Sequence, residues 1–546
     1  MDITSYKISG FAVKIFAMKS NFIIKTLLSI MGAVVFTGIS SAEKLVILHT
    51  NDTHSTIDPL ADGTAGVLNR KAIIDSVRNA EKNVLLIDAG DAVQGTLYFK
   101  YFRGDVEYKL LDLMGYDIII LGNHEFDNGI PSLADHYRNM KSVPLSANYD
   151  FSGTQLDGIF KPYLIKEFDG KKIGFMGLNL DPVSIISSKN FGGKYNEVLP
   201  VANEVASKLK NEEGCDLVVA ITHIGYQKVN DKISDIELAE LSKDIDLIIG
   251  GHTHTFIDPD HPEINPSLFE NAVGKPVRVV QSGKQGINLG KLTIDLDSLP
   301  LSGGDKIKYE WIPVTSRFPE SVQDKQIIEF LEPYRSGVDS VNNVIIAYSE
   351  YELPKTRTGG LANLTADIGF EIGRSMSDSL RLKDKDFPDI DMSIMNVGGI
   401  RHHMPQGGIT EGQILSTYPF SNHYVIVGVK GIDIIEAMKI SAKKGGEAVS
   451  SNVRVVTDPS GKLKRMIING QEMDPDKEYI VATIDYVAEG NDDLVSLANH
   501  RKLWESDEEV ALPILRWIKN QNKLGLKVAP DQTSRFVVDV ADQIIE

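Results

Sequence analysis

Cys215 is the only cysteine in 546 residues. The chain can therefore build no internal disulfide, no cysteine zinc knuckle and no iron–sulfur cluster. Positive charge is also in deficit: 57 Lys and Arg against 75 Asp and Glu leave a formal net charge of −18. That balance argues against wrapping a nucleic-acid polymer or lying on an anionic membrane, while leaving room for a local basic pocket. With 22 Pro and 46 Gly there is no low-complexity signature. The apolar stretch Thr26–Ile39 is short for a bilayer span. The last residues, Ala541-Asp542-Gln543-Ile544-Ile545-Glu546, form no apolar tail for GPI anchoring.

What remains is globular: 42 % hydrophobic and 24 % charged residues fit neither disorder nor a fibrous chain. At roughly 150 residues per domain, the length implies three or four units, or two large ones. Residues 1–42 stand apart. Lys14, Lys19 and Lys25 precede the apolar stretch, which ends in Ser40-Ser41-Ala42, the pattern of a secretory signal peptide cut after Ala42. A start at Met18 would leave Met18–Ala42, the usual length of such a signal. Losing four Lys and one Asp with it would move the net charge from −18 to −21. The expected product is exported, periplasmic or extracellular, with no stable membrane anchor.

From Glu43 to about 315, short continuous apolar runs alternate with amphipathic stretches. Leu45–Leu48, Val84–Ile87, Ile118–Leu121, Ile173–Leu178, Leu217–Ile221 and Leu247–Ile249 read as fully buried strands. Gly66–Ala80 and Glu204–Lys210 have helical composition, and Lys306–Pro313 reads as a late strand. The pattern implies a layered α/β domain. A polar, helix-like bridge follows near 320–345, and a second α/β pattern runs to the end.

Five of the runs end in metal-type ligands. They lead to Asp52-Thr53-His54, Gly90-Asp91, Gly122-Asn123-His124-Glu125-Phe126-Asp127, Thr222-His223 and Gly250-Gly251-His252-Thr253-His254. Ligands of open α/β sheets bind outside the carboxyl ends of the strands, so five strands aim Asp, His and Asn at one crevice. Strand alternation would set Asp52 and His54 on one side, and likewise His252 and His254. Asp52, His54, Asp91, Asn123, His223, His252 and His254 are seven donors, too many for one tetrahedral ion. Mixed oxygen and imidazole donors suit zinc, manganese or iron. Two ions sharing one carboxylate are the usual arrangement for phosphate-ester hydrolysis. His49, His136, His261 and His500 read as structural, and Asp88 as a helix cap.

These motifs, in this order, resemble the calcineurin-like metallophosphoesterases, and the Thr50-Asn51-Asp52-Thr53-His54 and Asn123-His124-Glu125-Phe126-Asp127 forms resemble their 5′-nucleotidase branch. The resemblance implies an α/β (α+β) protein. Its N-terminal domain (43–320) would be a four-layer β-sandwich flanked by helices. A helical linker or hinge (321–345) and a second α/β substrate-binding domain (346–546) would follow. It implies one metal on Asp52, His54, Asp91 and His254, and another on Asp91, Asn123, His223 and His252. The pair is expected to be zinc or manganese. His124 would contact the reacting phosphate, oriented by Asp127.

The C-terminal half adds Asn396-Val397-Gly398-Gly399-Ile400-Arg401, Thr417-Tyr418-Pro419-Phe420 and Asp485–Asp492. A guanidinium on a glycine turn suits an anion, and two rings can sandwich a base. This segment is similar to the 5′-nucleotidase C-terminal domain. That likeness implies Arg357, Asn396 and Arg401 around the sugar-phosphate, Phe420 and Tyr486 on the base, and Asp492 on the ribose. The expected activity is hydrolysis of nucleoside 5′-phosphates to nucleoside and phosphate. The alternative is a 2′,3′-cyclic nucleotide phosphodiesterase or UDP-sugar pyrophosphatase using the same metals.

Overall fold

The apolar runs of the N-terminal half become two sheets of the same plan. In the first, Lys44–Thr50, Asn83–Asp88, Ile118–Ile120 and Val143–Leu145 lie parallel. Asn288–Asp295 and Lys308–Pro313 extend the other edge antiparallel. In the second, Lys171–Asn179, Leu217–His223, Leu247–Ile249 and Pro276–Val280 are the parallel core. Tyr163–Phe168 and Leu268–Glu270 close its two edges antiparallel. The computed structural model describes residues 43–546, apart from Ala61, Ser184, 229–231, 301–303, 317–322, 541–542 and Glu546. The signal read over 1–42 lies outside the described residues.

Strands such as Leu45–Leu48 and Leu217–Ile221 are continuous hydrophobic runs because both of their faces are covered. The sheets pack face to face through Ile118–Ile120, Val143–Leu145, Lys171–Asn179 and Leu217–His223. Helix Val67–Ala80 covers the first sheet with Asp105–Met114 packed beside it, and Val198–Ser207 and Asp235–Leu241 cover the second. This is the four-layer arrangement expected from the resemblance. With four parallel strands in each sheet pointing the same way, their carboxyl ends open onto one rim.

Helix Lys325–Asn342 follows, started by the Asp324 carboxylate accepting the Ile327 N–H at 3.1 Å. Its Tyr334 ring packs edge-on against Phe102, 4.7 Å between centroids. The C-terminal half is built on a five-stranded sheet ordered Ala448–Val449, Met392–Met395, Glu478–Ile484, His423–Lys430, His500–Glu509. Helix Gly360–Arg381 lies across it. A smaller sheet around Val453–Thr457 and Phe536–Val540 is tied to that helix by the buried Arg535, whose guanidinium donates to both Asp367 oxygens at 2.9 and 2.6 Å. Among the described residues, no helix is long and apolar enough to cross a membrane.

The two halves touch at several points. Lys100 Nζ donates to the Pro419 carbonyl at 3.2 Å, Ser187 Oγ to Glu489 at 2.9 Å, and the Tyr486 hydroxyl to the Ile185 carbonyl at 3.2 Å. Between them lies a cleft of about 750 Å³.

Candidate active site

All seven expected ligands gather on the rim, though not by strand alternation. His223 is the last residue of its strand, but the other strands end before their ligands, and Asp52, His54, Asp91, His252 and His254 all have positive φ, from 46° to 80°. Left-handed backbone is uncommon for such residues and persists only where the surroundings impose it. It turns the side chains inward. His54 and His254 bring their Nε2 atoms to 2.9 Å, with Asp52 Oδ1 at 3.4 Å from His254 Nε2. On the other side, His223 Nε2 stands 3.3 Å from Asp91 Oδ2, and His252 Nδ1 lies 3.0 Å from Asn123 Oδ1. Asp52, His54 and His254 thus form one potential metal-holding group, and Asp91, His223 and His252 another. A third, His54, Asp91 and His124, overlaps both.

The chemistry of these donors fits metal ions. His223 Nδ1 is committed to the Ala89 carbonyl at 2.7 Å, which leaves Nε2 facing the carboxylates. That Nε2 is buried and has no hydrogen-bond partner. Burial lowers the His223 pKa, but Asp91 and Asp52 outweigh it and carry it up to about 10. Two buried carboxylates therefore demand a cation at that nitrogen.

The glycines beside Asp91 are required by space. A Cβ on Gly122 would stand 2.2 Å from Asp91 Oδ1, and one on Gly90 (φ 90°) would stand 2.6 Å from the Gly122 nitrogen.

Three residues outside the predicted set hold this geometry. Glu125, buried, accepts the N–H groups of Asp91 and Ala92 at 3.0 Å and of Gly122 at 2.5 Å, clamping two ligand loops together. Burial, and then the Asp91 charge, push its carboxyl up to about 8. Asn51 donates to Asp52 at 2.6 Å and accepts from Ser282. Asn179 donates to the Leu121 carbonyl at 2.6 Å, just ahead of Asn123. Asp88 does not cap a helix. It accepts the Thr50 hydroxyl at 2.6 Å and the Gly90 N–H at 3.0 Å, and so braces the Asp91 turn. His49 is fully buried and stacks on Tyr309 away from the ligands.

His124 pairs its Nδ1 with Asp127 Oδ2 at 3.0 Å, while its N–H donates to Asp91 Oδ1 at 2.9 Å. Burial lowers its pKa, but the Asp127 and Asp91 carboxylates outweigh burial and raise it above the ordinary histidine value. Across the cleft, Phe420 lies 5.7 Å from the His124 ring, and the Arg401 guanidinium sits 5.7 Å over Phe420. Arg401 shares the cleft with the carboxylates of Asp91, Asp127 and Asp492. Asn396 Nδ2 donates to Asp492 at 2.8 Å, and the Tyr486 hydroxyl stands 3.3 Å from its other oxygen. Asn396, Arg401, Phe420, Tyr486 and Asp492 line the cleft with Asp91, Asn123, His124, Asp127, His252 and His254. Arg357 departs from expectation: it is exposed, 3.4 Å from the Gly446 carbonyl, and is not part of the cleft wall.

Residues 45–256 match the calcineurin-like phosphoesterase family, and residues 345–499 match the 5′-nucleotidase C-terminal domain. The chain is 28 % identical over 541 residues to the trifunctional nucleotide phosphoesterase protein YfkN of Bacillus subtilis (strain 168), covering 90 % of this chain but only 35 % of that protein. It is 28 % identical over 463 residues to the snake venom 5′-nucleotidase of Naja atra, covering 78 % of this chain and 84 % of that one. The crystal structure of the 5′-nucleotidase precursor from Thermus thermophilus superposes with a TM-score of 0.73 at 27 % identity, covering 90 % of this chain and 99 % of that one. The chain thus belongs to the 5′-nucleotidase family, as an enzyme joining a calcineurin-like metallophosphoesterase domain to a 5′-nucleotidase C-terminal domain.

Proposed function

We propose that this chain is an exported hydrolase that removes the 5′-phosphate from nucleotides, using two divalent ions, zinc or manganese. One observation carries the reading: Arg401 and Phe420 of the C-terminal half stand against His124 and Asp91 of the other, inside one cleft. Asp52, His54, Asp91 and His254 would hold one ion, and Asp91, Asn123, His223 and His252 the other. Ions bound there would supply charge neutralisation of the phosphoryl oxygens and a water acidified toward neutral pH. Arg401 grips the phosphate with a planar fork of donors. His124, whose Nδ1 is held by Asp127, donates from its other ring nitrogen to the phosphoryl oxygen or the departing O5′. Phe420 and Tyr486 hold the base, and Asp492 and Asn396 take the ribose hydroxyls. Arg357 would serve the sugar-phosphate only after the halves move, with Lys325–Asn342 as the hinge.

The cleft is also lined by Lys189, His423 and Glu505. That room favours a second reading, in which cyclic nucleotides or UDP-sugars are cut at the same ions. Purified 43–546 incubated with AMP, 2′,3′-cyclic AMP and UDP-glucose separates the two. Phosphate and adenosine from AMP, blocked by chelator, support the monoesterase; turnover of only the other two overturns it. N-terminal sequencing of secreted protein tests export: Glu43 as first residue supports it, and Met1 contradicts it.

A further inference from the structure

His402 follows Arg401 but points elsewhere. Its Nε2 crosses from the C-terminal half to the loop after Asp91 and stands 2.9 Å from the Gly95 carbonyl. A carbonyl only accepts, so Nε2 carries the proton. Burial lowers the His402 pKa, and the nearby Arg401 and Lys355 add to that; the Gly95 bond opposes them without prevailing. The neutral ring has one N–H, and it is spent on this bond. The loop it holds is the one that braces the metal ligands. His54 N donates to the Asp91 carbonyl and Ser55 N to the Ala92 carbonyl, both at 3.0 Å. Arg401 is anchored on its other side by its own N–H, 2.9 Å from the Thr417 carbonyl. Its side chain lines the cleft together with Asp91, Asp127 and Asp492.

We infer that His402 is a positioning residue: its bond to Gly95 clasps the C-terminal turn to the Asp91 loop and sets the Arg401 guanidinium over the reacting phosphate. The clasp makes docking of the two halves and completion of the anion site a single event. The inference rests on the reading of Arg401 as the phosphate grip.

The test is a double-mutant cycle in full-length mature protein, comparing wild type, His402→Ala, Arg401→Ala and the double variant, with His402→Gln added because its amide N–H can still donate. For AMP, His402→Ala should lower kcat/KM about tenfold and His402→Gln should recover most of it. The double variant should fall within about twofold of Arg401→Ala alone, because a residue acting through another is not additive with it. An unaffected His402→Ala, or a double variant that loses the product of the two single effects, overturns the inference. If wild type releases no phosphate from AMP, the functional reading fails instead. The clasp is then tested by calorimetric Kd values for inorganic phosphate across the same chains, with the same non-additivity expected and additivity overturning it.

Discussion

Replacing Gly122 by alanine probes how tightly the central carboxylate is held. The new Cβ would lie 2.2 Å from Asp91 Oδ1 and 2.6 Å from the Asp91 nitrogen, where ordinary contacts begin at 3.4 Å. Rotating the carboxylate away relieves only the first clash, and it abandons the His124 N–H that Oδ1 accepts. The backbone nitrogen must therefore move too, so Asp91 is displaced by about 1 Å. A misplacement of about 1 Å in a catalytic constellation can lower the rate roughly a hundredfold. Overpacking adds a stability loss of about 1–3 kcal/mol. Gly122→Ala should fold with a lowered Tm, carry fewer than two ions by elemental analysis, and lose AMP turnover by about that factor. Gly337→Ala is the control: it sits in helix Lys325–Asn342 and its Cβ would meet only the Phe102 ring, at 3.6 Å. A Gly122→Ala chain with full metal content and near-normal turnover would refute the packing argument.

Three further outcomes are expected. His124→Ala should lower turnover by about 10²–10⁴ with metal content unchanged, as for loss of a general acid; loss of metal would make His124 a ligand, as its grouping with His54 and Asp91 allows. Burial pushes the Glu107 carboxyl from 4.5 up to about 7, with Ser55 donating to it. A raised acid pKa favours the folded state at low pH and withdraws that benefit as pH climbs from 4.5 past 7. Glu107→Gln should therefore gain on wild type across that window, approaching about 3 kcal/mol in urea unfolding by about pH 8; parallel pH profiles would reject the assignment. Ser187 and Glu489, joined at 2.9 Å across the halves, can be replaced by cysteines. The oxidised pair should stop turnover and reductant restore it, if the halves must part to release product; activity unchanged by oxidation would dismiss the hinge.

The cluster of Asp, His and Asn donors is legible because polar residues at the ends of buried runs have no packing reason to be there. The way they converge is not. Alternation presumes extended backbone at Asp52–His54 and His252–His254, whereas Asp52, His54, His252 and His254 are left-handed. Glu125 and Asn179 leave no spacing pattern because they act on backbone N–H and carbonyl groups, and Asn51 leaves none because it braces its own neighbour, Asp52. Asp88 looked like a cap because a cap and a turn brace are both an acid after a strand; only the Gly90 contact separates them. In the C-terminal half Arg401 announced itself through its glycine turn. Arg357 was expected at the substrate from resemblance alone, and it lies outside the cleft wall. His402 carried no sequence signal, since its partner is a carbonyl 307 positions earlier.

The most direct measurement of the central claim is metal reconstitution. Mature protein stripped by chelator would be titrated with manganese or zinc while phosphate release from AMP is followed. The account predicts no release from the stripped chain and recovery that saturates at two ions per chain. Release by the metal-free chain, or none from a chain shown to hold two ions, would contradict it.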